Sequence, residues 1–121
     1  MELIVKQEIT DIFRNMGIPA HLSGYEYARY MIERLIDEPM LIKAVTIKLY
    51  PDAAAKYNTT RTRVERATRT AVETAFDRGD LETLQLYFGN TMSSYRGKPT
   101  NSEFMATIAD NIRLRREAMS K

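Results

Sequence analysis

Nearly every stretch of this chain repeats its apolar residues with a period near 3.6, and no run alternates apolar and polar residues as a half-buried strand must. That pattern leaves an all-α fold as the expectation. At 121 residues the chain has room for one core, so a single helical domain over residues 1–121 is expected. Ile4, Ile9, Ile12, Phe13 and Met16 share one face of a first helix over Leu3 to Met16, and Gly17 stands where it ends. Ser23 with Glu26 has capping-box spacing and opens a second helix to Ile36. Pro39 suits the first turn of a third helix ending near Leu49, and Pro51 the first turn of a short fourth, Asp52 to Tyr57. An arginine-rich helix runs on to Gly79. Asp80 then caps a short helix through Phe88, stopped by Gly89, and residues 90–99 read as a loop. Thr100 with Glu103 repeats the capping-box spacing and starts a last helix on which Phe104, Ile108, Ala109 and Ile112 align. The expected architecture is a compact bundle of about six helices.

Several kinds of chemistry drop out at once. With no cysteine there is no disulfide framework and no thiolate metal site, and the lone His21 cannot form a histidine cluster. No apolar run approaches the roughly 18 residues of a membrane span, and the first residues lack the charge order of a signal peptide. A soluble, cytoplasmic protein is expected. The chain offers no nucleophile with a base and no glycine-rich phosphate loop, so no catalytic residue, metal or cofactor is expected. Glu33, Asp37 and Glu38 cluster acids without a histidine or a second carboxylate group in register. His21, in a connector, suits a structural hydrogen bond or a phosphate contact better than catalysis. Tyr27 and Tyr30, one helical turn apart, suit partial burial better than a stacking platform that would include Tyr25. Met31, Met40, Met92, Met105 and Met119 read as gap-filling core or end residues. Arg113, Arg115 and Arg116 could meet phosphate, meet a neighbouring protein or fray into solvent.

The global charge is nearly balanced, 18 basic residues against 16 acidic, but its distribution is not. Between residues 56 and 69, Lys56, Arg61, Arg63, Arg66 and Arg69 face Glu65 alone. The same stretch has the layout of a helix-turn-helix over residues 52–77. Ala54 can sit where the two helices touch, Asn58 tolerates a left-handed turn conformation, and Val64 can lock the second helix. At about 100° per residue, Val64, Ala67, Ala71 and Ala75 fall on one face, with Thr62, Glu65, Arg66, Arg69 and Glu73 broadly opposite. An arginine can take a guanine bidentately, a glutamate can accept from cytosine, and Thr60 or Thr62 can cap the helix or bond a phosphate. The bland alternative is a solvated face on which Glu65 with Arg69, or Arg69 with Glu73, forms intrahelical pairs.

Four blocks of sequence carry a resemblance. They are Gly17-Ile18-Pro19-Ala20-His21-Leu22 with Gly24-Tyr25; Tyr50-Pro51-Asp52 through Asn58-Thr59-Thr60 to Arg63-Val64-Glu65-Arg66-Ala67 and Arg69; Arg78-Gly79 before Phe88-Gly89; and Lys98-Pro99-Thr100-Asn101-Ser102-Glu103-Phe104. In this order and spacing, over roughly residues 7–116, the chain resembles the carboxy-terminal effector domain of the stage-zero sporulation protein A family. The resemblance implies a six-helix transcription regulator without a wing that binds double-stranded DNA at a TGTCGAA-like box. Tandem copies of the box would be bound head to tail by a possible homodimer. It implies base reading by Glu65, Arg66 and Arg69, and phosphate contacts from Thr62 and Arg63, to which charge and position add Lys56, Thr60 and Arg61. It further implies a contact between residues 80–90 and an RNA polymerase sigma factor. Thr70 stands where the family commonly has histidine, and Thr68, expected near the edge of the core, where it has a branched aliphatic. The family's effector is normally joined to a phosphoacceptor receiver, which these residues do not contain, so binding uncontrolled by the chain's own phosphorylation is expected. The other expectation left open is a protein-interaction or decoy module that binds another regulator through the same arginine face.

Overall fold

The structure is a computed structural model in which residues 3–92 and 98–120 are described. Its helices are α1 (Leu3–Asn15), α2 (Ser23–Asp37), α3 (Tyr50–Lys56), α4 (Arg61–Arg78), α5 (Leu81–Met92) and α6 (Asn101–Met119). There is no strand among the described residues, so the all-α reading holds. Val5, Ile9, Ile12, Phe13 and Met16 form the buried stripe of α1. Ile4, expected in that stripe, is 62% exposed, because Val5 is the residue four before Ile9. At the end of α1 Gly17 has φ +79°, the Ile18 amide donates to the Phe13 carbonyl and the Gly17 amide to that of Arg14. This is a left-handed cap that needs glycine at its turning point.

The capping box expected at Ser23 does not form. Ser23 already lies inside α2, and its flanking residue is Leu22, whose carbonyl accepts the Tyr25 amide at 3.0 Å. The third and fourth helices merge. Pro39 opens a 3₁₀ turn (Pro39–Ala44), a π segment follows (Val45–Leu49), and α3 continues it without a break. Pro51 explains the π segment. It offers no amide to Ile47, and its ring would strike that carbonyl in a regular helix; widening the turn, with the Tyr50 amide reaching back to Val45, avoids the clash.

Asp80 caps α5 as expected, accepting the Thr83 amide at 3.0 Å and its hydroxyl at 2.8 Å, and these bonds hold the Asp80 carboxyl below its ordinary range. Gly89 does not stop α5, which runs to Met92; a glycine ends a helix by turning left-handed, and Gly89 keeps a negative φ. Residues 90–92 of the expected loop are thus helical, and residues 93–97 lie outside the described ones. The Thr100–Glu103 capping box is complete.

Aromatic rings run through the core. Phe104 of α6 stacks on Phe88 of α5, with centroids 5.4 Å apart, and lies 6.1 Å from Phe13 of α1. Phe13 meets Tyr25 of α2 edge-on, and Phe88 meets Phe76 of α4 in the same way. Met31 and Met105 fill core space, while Met40 and Met119 are exposed. The last helix does not fray at its arginines. Arg113 donates to the Leu35 carbonyl and Asp110, Arg115 to the Tyr87 hydroxyl, and Arg116 pairs with Glu8, so α6 is tied to α2, α5 and α1.

The buried arc of α4 is wider than the helical wheel suggests. Val64, Thr68, Ala71, Val72 and Ala75 are buried and Ala67 is half-buried, because α4 packs against α2, α3 and α6 at once. Thr68 lies in the core rather than near its edge: it is 0% exposed, and its hydroxyl has no hydrogen-bond partner among the described residues. Replacing it with valine keeps the shape and removes a desolvated polar group. Thr68→Val is expected to raise unfolding stability by about 1 kcal/mol, read as a higher urea midpoint at unchanged slope.

Candidate nucleic-acid interface

The turn between α3 and α4 is built as the sequence suggests. Asn58 has φ +52°, the only positive value at a non-glycine residue among those described. The Thr59 amide donates to the Ala54 carbonyl at 2.9 Å and the Asn58 amide to that of Ala55 at 3.4 Å. This is the same cap that ends α1, with asparagine in place of glycine. Ala53 and Ala54 are buried on the α3 side and Val64 on the α4 side, so small residues let the helices touch where the branched one locks them. Thr60 is the N-cap of α4, its side chain accepting the Arg63 amide at 3.2 Å, whereas Thr62 lies inside the helix and is exposed.

With the core face fixed, the opposite face follows. Arg61, Thr62, Arg63, Arg66 and Arg69 are exposed and Glu65 is half-buried. Glu65 and Arg69 form an i, i+4 ion pair, while Arg66 has no ion-pair partner among the described residues. Thr46 and Tyr50 border the same shallow concavity as Arg61, Arg66 and Arg69. Thr70 turns its hydroxyl onto the Arg66 carbonyl at 3.1 Å.

Lys56, at the end of α3, is exposed but not adrift. Its ammonium lies 5.5 Å from the Tyr30 ring centroid and 5.6 Å from that of Tyr57, and the Tyr27 ring packs against Tyr57 with centroids 5.3 Å apart. The half-buried tyrosines therefore hold a cation beside the turn. Burial first, and the negative charge of Glu26 next, push the Tyr57 phenol above its ordinary range. One turn further back, Arg34 of α2 donates to Asp52 of α3 and to the Tyr30 hydroxyl, each at 2.9 Å. The Arg34 bond, helped by Lys48 at 3.3 Å, holds the Asp52 carboxyl below the usual range. These contacts fix α3 against α2.

One residue without an expected role sits against this face. Asn101, 8% exposed at the start of α6, donates through Nδ2 to the Tyr50 hydroxyl at 3.1 Å and to the Glu65 carbonyl at 3.0 Å. Its partners are 51 and 36 residues away, and no periodicity in the sequence joins them. Burial raises the Tyr50 phenol above its ordinary range, and the Asn101 bond partly offsets that.

The remaining expected groups stand apart. His21 is exposed, and its side chain makes no hydrogen bond among the described residues, so of the two roles expected of it the structural bond is not found there. Glu33 is buried while Asp37 and Glu38 are exposed, and no set of three or more potential metal ligands occurs among the described residues. No described helix is long and apolar enough to cross a membrane. In α5, Glu82, Gln85, Leu81 and Leu86 are exposed, and Tyr87 is held by Arg115.

The model of the family described as sporulation initiation factor Spo0A, C-terminal, matches residues 9–112, which takes in α3, the Asn58 turn, α4 and the Asn101 contact. That family is a DNA-binding regulator domain and not a known enzyme family. A match of that extent, over a helix pair with its arginines turned outward, makes this chain a member of the Spo0A C-terminal family, the DNA-binding effector domain of a sporulation regulator.

Proposed function

We propose that the chain acts as one sequence-specific domain over residues 1–121, laying α4 in the major groove of double-stranded DNA. Glu65, Arg66 and Arg69 read base edges, and Lys56, Thr60, Arg61, Thr62 and Arg63 position the phosphates. The observation that carries this reading is the orientation of α4. The packing that buries Val64, Thr68 and Ala71 leaves three arginine-bearing turns exposed, with one carboxylate among them. Such a face matches both the charge of phosphate and the donor and acceptor pattern of base edges. The target is a TGTCGAA-like box, with tandem boxes taken by two copies, and the protein works in the cytoplasm. The exposed leucines of α5, Leu81 at 60% and Leu86 at 74%, support a sigma-factor contact there. In this reading binding is not controlled by the chain's own phosphorylation, which the exposure of Arg61, Arg63, Arg66 and Arg69 supports.

The test is fluorescence anisotropy of a labelled box duplex against a scrambled one, over a salt series. Preference for the box that persists as salt rises supports base reading. Equal binding that vanishes with salt leaves only a basic helix, and no binding favours the decoy module that meets a protein instead. Lys56→Ala sharpens the test. It is expected to weaken both duplexes alike and to reduce the slope of log affinity against log salt by about one, the signature of a lost phosphate contact.

A further inference from the structure

Asn101 joins α6 to both α3 and α4 behind the arginine face. It belongs to the first turn of α6, bonds the tyrosine that begins α3 and bonds a backbone carbonyl in the second turn of α4. A carbonyl oxygen only accepts, so the group facing Glu65 must be the amide nitrogen, and both hydrogens of that nitrogen are committed. The Glu65 carbonyl already serves the regular bond of its own helix to residue 69. The extra bond therefore does not rescue an orphaned group; it ties one turn of α4 to α6. That turn carries Glu65 and Arg69, whose side chains pair with each other on the outward side.

We propose that Asn101 is a positioning residue for base reading, its carboxamide fixing the setting of the α4 turn that presents Glu65 and Arg69. This rests on the reading that α4 contacts bases. Bidentate recognition tolerates displacements of only about 0.5 Å, so a turn free to slide on α6 keeps its charge and loses its discrimination. Thermal stability responds to any buried hydrogen bond. The ratio of box to scrambled affinity responds only if the bond sets the readers.

Two substitutions remove the amide, Asn101→Ala, and Asn101→Leu, which keeps the buried volume if the smaller side chain impairs folding. Tyr50→Phe removes the other partner and leaves the Glu65 bond in place. Each is assayed by anisotropy on both duplexes, at a temperature where circular dichroism shows it folded, with Arg66→Ala alongside. Both Asn101 variants are expected to lose about tenfold of discrimination, with scrambled-duplex affinity and salt slope unchanged. Tyr50→Phe keeps the Glu65 bond and is expected to lose less discrimination than either Asn101 variant. If the Asn101 variants keep the parent's preference while Arg66→Ala loses it, or if they weaken both duplexes equally, the positioning role is overturned and the base-reading assignment stands. If the parent itself shows no preference, the base-reading assignment fails and takes this role with it.

Discussion

Gly24→Ala is expected to cost about 3 kcal/mol of unfolding stability, the upper end of overpacking penalties, and to weaken DNA binding with it. A methyl built on Gly24 would lie 2.0 Å from the Ala67 carbonyl oxygen, 2.6 Å from its carbon and 3.1 Å from the Ala71 β-carbon. The first two are backbone atoms in the middle of α4. No rotamer change clears them, and α2 can accept the methyl only by backing away from the helix that presents the arginines. Gly24 lies in the first turn of α2, and the missing β-carbon there lets α2 approach the α4 backbone more closely than any larger residue would permit. Urea denaturation checks the prediction, and a variant with the parent's midpoint would mean that α2 and α4 do not meet as described.

Arg66→Ala should act in the opposite manner, leaving the fold intact and removing recognition. Arg66 is exposed, with no ion-pair partner among the described residues, so its loss opens no cavity and strands no buried charge. A bidentate contact to guanine discriminates by roughly 1–3 kcal/mol, so box affinity should fall by about thirtyfold while the scrambled duplex changes little. Arg69 is the less clean probe, because removing it also deprives Glu65 of its partner. Competition anisotropy with both duplexes checks the result. An Arg66→Ala protein with undiminished preference would remove Arg66 from the readers.

What the sequence revealed and what it hid divide by range. The Asn58 turn, the Thr60, Asp80 and Thr100 caps and the α4 core stripe are local chemistry, set by residues within a turn of one another. The failed Ser23 box and the overrun at Gly89 show the limit of such signals. A capping pattern acts only if the helix begins at that residue, and a glycine stops a helix only if it turns left-handed. The merger of the two segments around Pro51 depended on a widened turn that spacing does not record. Thr68 was misplaced because a helical wheel assumes one buried side, whereas α4 is gripped from three. In the interface, the arginines were legible from charge and period. Their supports were not: Asn101 on Glu65, Arg34 on Asp52 and the tyrosines around Lys56 join positions distant in sequence.

The tyrosine arrangement also gives the protein a signal of its own. The chain has seven tyrosines and no tryptophan, so tyrosine dominates its ultraviolet emission. Two of those rings, Tyr30 and Tyr57, share the Lys56 ammonium and a third, Tyr27, packs against Tyr57, beside the turn that leads into α4. A phosphate that draws the ammonium off those rings changes the polarity they sense, and the unlabelled protein then reports optically on its own docking.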